Sequence, residues 1–298
     1  MADVELDSAP NLASLFPKAV VSGLLPGKKR GKDLPDTALV RRDVVVDPEH
    51  LVAYNEVCGF RLTDKLPSTY LHILVFPLQV KLMAEPSFPF PLVGLVHVSN
   101  TITQHRPVTL TESFSLRVRV ENLRPHEKGN QFDVISEVIP AGEDAPVWTD
   151  VSTYLRRLQK QRREAPPQRV GASSSGGGKK EQLAAPTPKA IWHIPGDIGR
   201  RYAEVSGDHN PIHLYAATAK LLGFPKAIAH GMWTKAHSLA AFEGKLPDAY
   251  TLDVRFKLPV LLPAKAAFTT WSTEDGFAFE LWDARKPKPY LEGTITRL

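Results

Sequence analysis

Alternation of apolar and polar positions dominates the end of the chain. In "TLDVRFKL", Leu252, Val254, Phe256 and Leu258 fall on one face and Thr251, Asp253, Arg255 and Lys257 on the other, the period-two pattern of a half-buried strand. "AFTTWST" and "FAFELWD" flank "EDG", which predicts a hairpin, and "YLEGTITRL" closes the chain as a further strand. The first half supplies "LVGLVHVSNTI", "FSLRVRVEN", "FDVISEVI" and "VWTDVSTYL" in the same succession. Ahead of the second set the period changes. "AIAHGMWTKAHSLAAF" puts Ala229, Met232, Ala236, Leu239, Ala240 and Phe242 on one face of a helix. Helices followed by about four strands, written twice, predict an α+β protein of two units, each a sheet wrapped around a helix.

The two halves also resemble each other letter by letter. Tyr54 opens "YNEVCGFRLTDKLPSTYLHILVFPLQVKLMA" and Tyr202 opens "YAEVSGDHNPIHLYAATAKLLGFPKAIAHGM". Both read Tyr-x-Glu-Val-small-Gly, then a loop, a helix, a Phe-Pro break and an apolar stretch. Downstream, "RPVTLTESFSLRVRV" answers "LPVLLPAKAAFTTWS", so the order points to duplication. Between the halves, residues 164–189 ("EAPPQRVGASSSGGGKKEQLAAPTPK") have almost nothing to bury and are expected to be a flexible linker. The expected domains are 1–163 and 190–298.

Composition narrows the function classes. The 298 residues carry a formal net charge of +5, and the basic residues sit in short clusters without interleaved aromatics, so a nucleic-acid partner is not expected. The one cysteine, Cys58, allows no intrachain disulfide and no cysteine cage for zinc. The N-terminus has no apolar secretory segment and no apolar run reaches membrane-spanning length. The expectation is a cytoplasmic chain with no membrane partner.

Chemistry is concentrated in "SGDHNPIH". Asn210 is a favoured N-cap and Pro211 fits the first helical position, so a helix is expected from Pro211 with His213 in its first turn. Asp208 lies just before, in the loop opened by Gly207. In an unbroken helix residues five apart diverge by about 140°. Across a cap bend they can aim at one point, which would make Asp208 and His213 an acid/base pair. The same letters also describe an ordinary capping turn, and His209 reads as an exposed filler. Gly231 falls at the start of the next helix, where a free backbone N–H without a side chain can meet a substrate oxygen, or where a small residue simply packs. No metal is expected, because no further ligands lie at suitable spacing and His230 is needed elsewhere.

These residues resemble the signature of the MaoC-like R-specific enoyl-CoA hydratases, in which Tyr202, Ser206, Gly207, Asp208, Asn210, Pro211, Ile212, His213 and Ala219 all fit. In layout the chain is similar to two-hot-dog (3R)-hydroxyacyl-thioester dehydratases. The resemblance implies a double hot-dog fold, an Asp208–His213 catalytic pair and a Gly231 N–H holding the thioester oxygen. It implies loop-shaping by Gly207, Asn210 and Pro211, no cofactor, and hydration of trans-2-enoyl thioesters or its reverse. The substrate carrier, coenzyme A or acyl-carrier protein, is left open, as is a homodimer. The first half departs from the signature. Phe60 stands where the aspartate should, and Asp64 and His72 lack the right neighbours. One active site per chain is therefore expected, with "ILVFPLQVKLM", including Phe76 and Leu82, lining space for the acyl tail. An acyl-CoA thioesterase remains the alternative within the fold. A non-catalytic acyl-binding subunit would be favoured if Asp208 and His213 lay too far apart to share a water.

Overall fold

The computed structural model describes residues 2–15, 30–157 and 185–298. The strands are β1 (Ala2–Glu5), β2 (Thr37–Val44), β3 (Leu95–Gln104), β4 (Phe114–His126), β5 (Gly129–Pro140) and β6 (Trp148–Arg157) in the first half. The second half has β7 (Ala190–Ile194), β8 (Tyr250–Phe256), β9 (Ala264–Thr273), β10 (Gly276–Asp283) and β11 (Pro289–Arg297). All join one sheet in the order β1-β2-β4-β5-β6-β3-β8-β11-β10-β9-β7. Apart from the parallel edge strand β1, every neighbour is antiparallel.

The order reads the same outward from the β3–β8 seam: β3, β6, β5, β4, β2 on one side and β8, β11, β10, β9, β7 on the other. The duplication is thus visible as approximate two-fold symmetry about the pair Ile102↔Leu252. Each half has five matching strands rather than four. The strands missed from the sequence, "TALVRRDV" and "AIWHI", precede the helices and lie near the sheet edges, where short or interrupted alternation is hard to read. Leu258 is a second correction: it lies beyond the end of β8 and is exposed.

The helices are α1 (Pro48–Cys58), α2 (Ser68–Ala84), α3 (Ile198–Ser206), α4 (Pro211–Leu214), α5 (Ala216–Leu221) and α6 (Gly231–Ala240). Asp47 caps α1 by accepting from the Glu49 N–H, with Pro48 at the first position. α1 and α3 correspond, and both end on a glycine in the left-handed region, Gly59 at φ 86° and Gly207 at φ 72°. The central helices are α2 and α6, which meet inside the sheet. The expected Phe-Pro break is a correction in the first half. Phe76-Pro77 lies inside α2, because burial of Val75, Leu78 and Val80 outweighs the hydrogen bond that Pro77 cannot make. In the second half Phe224-Pro225 does lie in a loop, and it precedes α6.

Polar ties lock the halves together. The last carbonyls of α1, orphaned by the helix end, accept from α6: Val57 from the Trp233 indole at 3.0 Å and Cys58 from His237 Nδ1 at 2.9 Å. In return His50 of α1 bonds the Val205 carbonyl at the end of α3 at 2.8 Å. At the seam, His72 Nδ1 meets Asp150 at 2.8 Å, and Asn100 donates to Asp150 and to Ser152. Lys235 of α6, fully buried, donates to both the side chain and the carbonyl of Asn100 and to the Leu252 carbonyl at 3.1 Å. Burial pulls its pKa down to about 7, against the pull of Asp150 and Asp253. A buried ammonium with three oxygen acceptors costs far less than an unpaired one. Most of the expected linker, residues 164–184, lies outside the described residues.

Candidate active site

The local fold around Asp208 follows from caps. Gly207 ends α3 and turns the chain out. The Asp208 N–H bonds the Ser206 hydroxyl at 3.2 Å, and one Asp208 carboxylate oxygen accepts from the Asn210 N–H at 3.2 Å. Asn210 in turn accepts from the Ile212 N–H, starting α4 at Pro211. The expected apolar helix does not run on from here. α4 has only four residues, the chain is extended at Tyr215, and α5 follows with most of its surface exposed. The break fits the sequence, because the segment lacks an apolar stripe wide enough to bury a longer helix.

His213 is buried. Its Nδ1 donates to the Ile228 carbonyl at 2.9 Å, which leaves the Nε2 lone pair free to accept. Burial lowers its pKa below the usual imidazole value, although Asp208 pulls the other way, so the ring is neutral near pH 7.

His230, which the sequence sets apart from this loop, stands at the N-cap of α6 and is brought against Asp208 and His213 as well. Its Nε2 donates to the Asp208 carbonyl at 2.9 Å and lies 3.8 Å from the Asp208 carboxylate. Its ring stacks on His213 with centroids 3.7 Å apart and planes 24° apart. Its buried Nδ1 has no hydrogen-bond partner among the described residues, and burial beside His213 holds its pKa far below the usual range. Only three-dimensional proximity could reveal this. In the sequence His230 is simply the residue before a glycine.

One ligand atom from each of Asp208, His213 and His230 lies within 4.8 Å of the others. That spacing suits a water. Acceptors no more than 4.8 Å apart can both lie within hydrogen-bond reach of one shared water oxygen. It suits a metal poorly. Imidazole lone pairs lie in the ring plane, and two nearly parallel stacked rings cannot both aim at an ion about 2.0 Å from each nitrogen.

Gly231 begins α6, where the first N–H groups have no partner within the helix. A Cβ at Gly231 would sit 3.1–3.3 Å from the Phe256 ring, so the missing side chain keeps this approach open. Supporting residues come from α3 and from the other half. A Cβ on Gly199 would stand 2.0 Å from the His213 carbonyl oxygen, so α3 and α4 approach this closely only through a glycine. Arg200 bonds the Leu214 carbonyl at 3.1 Å and lies over the Tyr215 ring, pinning α4 from behind. Leu12, in the N-terminal segment, covers Gly207 and packs on Phe76 and Val80.

In the first half the position of Asp208 is taken by Phe60, which stacks on Tyr54. His72 pairs with Asp150 inside the seam, and the Asp64 carbonyl accepts from the Leu110 N–H. Neither assembles a second copy of the site. Phe76 lies beside His72, at ring centroids 6.2 Å apart, whereas Leu82 is packed into the main core. His209 is exposed.

A sheet of two mirrored five-strand units around two central helices, with a capped loop beside one of them, defines a double hot-dog protein. Residues 183–288 match the model of the MaoC like domain. The chain is 38% identical to 3-hydroxyacyl-thioester dehydratase X of Mycobacterium tuberculosis, over 93% of this chain and 95% of that one. The crystal structure of HtdX from the same organism superposes with a TM-score of 0.75 at 36% identity, covering 88% of this chain and all of that one. A further M. tuberculosis protein, described as having a double hotdog fold, superposes with a TM-score of 0.51 at 11% identity over 91% of this chain and 96% of that one. The chain belongs to the MaoC-like family.

Proposed function

We propose that the chain is a hydro-lyase that interconverts trans-2-enoyl thioesters and (3R)-3-hydroxyacyl thioesters. The observation that carries the reading is the convergence of Asp208 and His213 on one water-sized space beside the start of α6. In the hydration direction one water donates its two hydrogen bonds to the Asp208 carboxylate and His213 Nε2. Its oxygen attacks C3 while one of these groups takes a proton. Negative charge moves to the thioester oxygen, where the Gly231 N–H and the positive end of α6 stabilise it. A proton returned to C2 completes the addition, and elimination of water follows the same path backwards.

His230 acts as a positioning group. By donating to the Asp208 carbonyl it fixes the loop, and its ring holds His213 in plane. The name carried by the M. tuberculosis relative supports the same reaction class. The first half would contribute the wall of the acyl site through Phe76, so a bulkier residue there should shorten the preferred chain. Asp208→Asn and His213→Gln should each lower turnover of a trans-2-enoyl-CoA at least about 100-fold. Enoyl absorbance should disappear in the wild type without release of thiol. Thiol release at the rate of enoyl loss would indicate a thioesterase, and near-normal turnover in either variant would remove that residue from the mechanism.

A further inference from the structure

The two mirrored halves close their helix-end turns in different ways. In the first half the opposing central helix itself seals the turn at Gly59. His237 of α6 donates to the Cys58 carbonyl, and its ring would stand 3.2 Å from a Cβ on Gly59. Trp233 and Trp192 hold that ring from either side, at centroid distances of 5.0 and 4.6 Å. The matching turn at Gly207 lies beside Asp208, and there a different part of the chain takes the place of the helix residue. The three atoms closest to a Cβ on Gly207 all belong to Leu12, the first at 2.5 Å. Leu12 rests in turn on Phe76 and Val80 of α2. The three form a small buried cluster apart from the main core, edged by Leu15 and Leu92.

The segment that carries Leu12 is lightly held. Among the described residues the hydrogen bonds of residues 7–15 close on themselves, with the Asn11 carbonyl accepting from the Ser14 and Leu15 N–H groups at 3.2 Å. Its outer anchor is β1, four exposed residues paired in parallel with β2 and tied by Asp3 to Arg117 and by Glu5 to Arg42. Solvent-facing ion pairs of this kind add little. Leu12 is the buried side chain that pins the segment against the catalytic half. A fixed aromatic wall therefore closes the inert side, whereas one aliphatic side chain on a strap closes the side that bears Asp208.

We propose that residues 7–15 are a lid on the acyl site, latched by Leu12, and that opening of this lid sets how long an acyl chain the site accepts. Methylenes of a long chain can replace Leu12 on Phe76 and Val80, so the apolar surface that the latch gives up is covered again. A four-carbon chain is too short to displace the latch and reacts beneath it. A long chain needs the open state, and its apparent affinity is lowered by the scarcity of that state. The lid assignment rests on the thioester reading above, in which Phe76 walls the acyl site.

The test has two arms, both on the full chain. In the first, amide hydrogen exchange of residues 12–15 in the wild type is followed with butyryl-CoA and with dodecanoyl-CoA, which are saturated and cannot be hydrated. Dodecanoyl-CoA should speed exchange there about threefold or more over butyryl-CoA. In the second, kcat/KM is measured on crotonyl-CoA and trans-2-dodecenoyl-CoA for wild type, Leu12→Ala and Leu12→Met. Leu12→Ala weakens the latch and should raise the ratio of dodecenoyl to crotonyl kcat/KM about fivefold or more, while Leu12→Met should keep a ratio near that of wild type. Equal exchange with the two ligands overturns the lid. An unchanged ratio in Leu12→Ala does so too, and a fall by one common factor on both substrates would make Leu12 a plain brace for the loop at Gly207. If wild type hydrates neither enoyl thioester, yet dodecanoyl-CoA alone loosens residues 12–15, the lid stands and the hydro-lyase reading falls.

Discussion

Gly199 offers a severe test of the site because the chemistry it supports lies on another element. A methyl group on its Cα would stand 2.0 Å from the His213 carbonyl oxygen and 3.0 Å from the carbonyl carbon. Real Cβ atoms keep at least 3.0 Å from such atoms, so α3 and α4 must part by about 1 Å or more. α3 is poorly placed to retreat. Tyr202 and Ala203 are buried in the core, and the Val205 carbonyl is held by His50. The movement therefore falls on α4, and the Nδ1–Ile228 bond that aims His213 is disturbed with it. A misplacement of about 1 Å can cost about 100-fold in rate, and overpacking typically costs about 1–3 kcal/mol in stability. Gly199→Ala should thus fold with a lowered Tm and lose about two orders of magnitude in kcat on a trans-2-enoyl-CoA. Gly196→Ala is the control. Its Cβ would lie 3.8 Å from Pro263, an ordinary contact, and kcat should stay within about twofold. If Gly199→Ala keeps wild-type kcat and Tm, the claimed dependence of His213 on this close approach is wrong.

Gly231→Ala keeps the N–H but presses on Phe256, so kcat/KM should fall about tenfold, and Phe256→Leu in the same chain should restore part of it; a full loss that no relief at Phe256 improves would contradict the steric account. Lys235→Met leaves the Asn100 side-chain oxygen and the Asn100 and Leu252 carbonyls without their buried donor and should destabilise the fold by about 1–3 kcal/mol in denaturant titration, whereas a neutral effect would mean the seam network contributes little. His97 is half-buried between Tyr154 and Phe256, and desolvation there pushes its pKa down to about 3. The unfolded chain therefore binds more protons between about pH 6.5 and pH 3, so stability falls on acidification through that window by about 1.4 kcal/mol per pH unit from this residue. His97→Phe should flatten the acid limb of a stability–pH profile, and an unchanged slope would refute the assignment.

Much of this arrangement was legible before any coordinates. Strands over 250–256, 264–273 and 276–283 follow from two-residue alternation, and the start of α4 follows from the Asn210-Pro211 cap, because both signals are local. The duplication is legible too, since matching helices still end on Gly59 and Gly207. What escaped depends on distant pairing. Strands β2 and β7 are too short or irregular to announce themselves. Pro77 reads as a break until the burial on both sides of it is known. His230 gains its place only when α6 is brought against the 208 loop, and Gly199 matters only because α4 lies on it. Burial changes the reading of Leu82 as well, which the alternation of apolar letters could not distinguish from a cavity-lining residue.

The sharing of one water by Asp208 and His213 is tested most directly by a double-mutant cycle on kcat with Asp208→Asn, His213→Gln and both together, read as loss of enoyl absorbance. Groups that act as a unit on one water give strongly non-additive losses, so the double variant should be hardly worse than the poorer single variant. Losses that multiply, to about 10⁴-fold if each single change costs about 100-fold, would mean that the carboxylate and the imidazole work independently and would contradict the account.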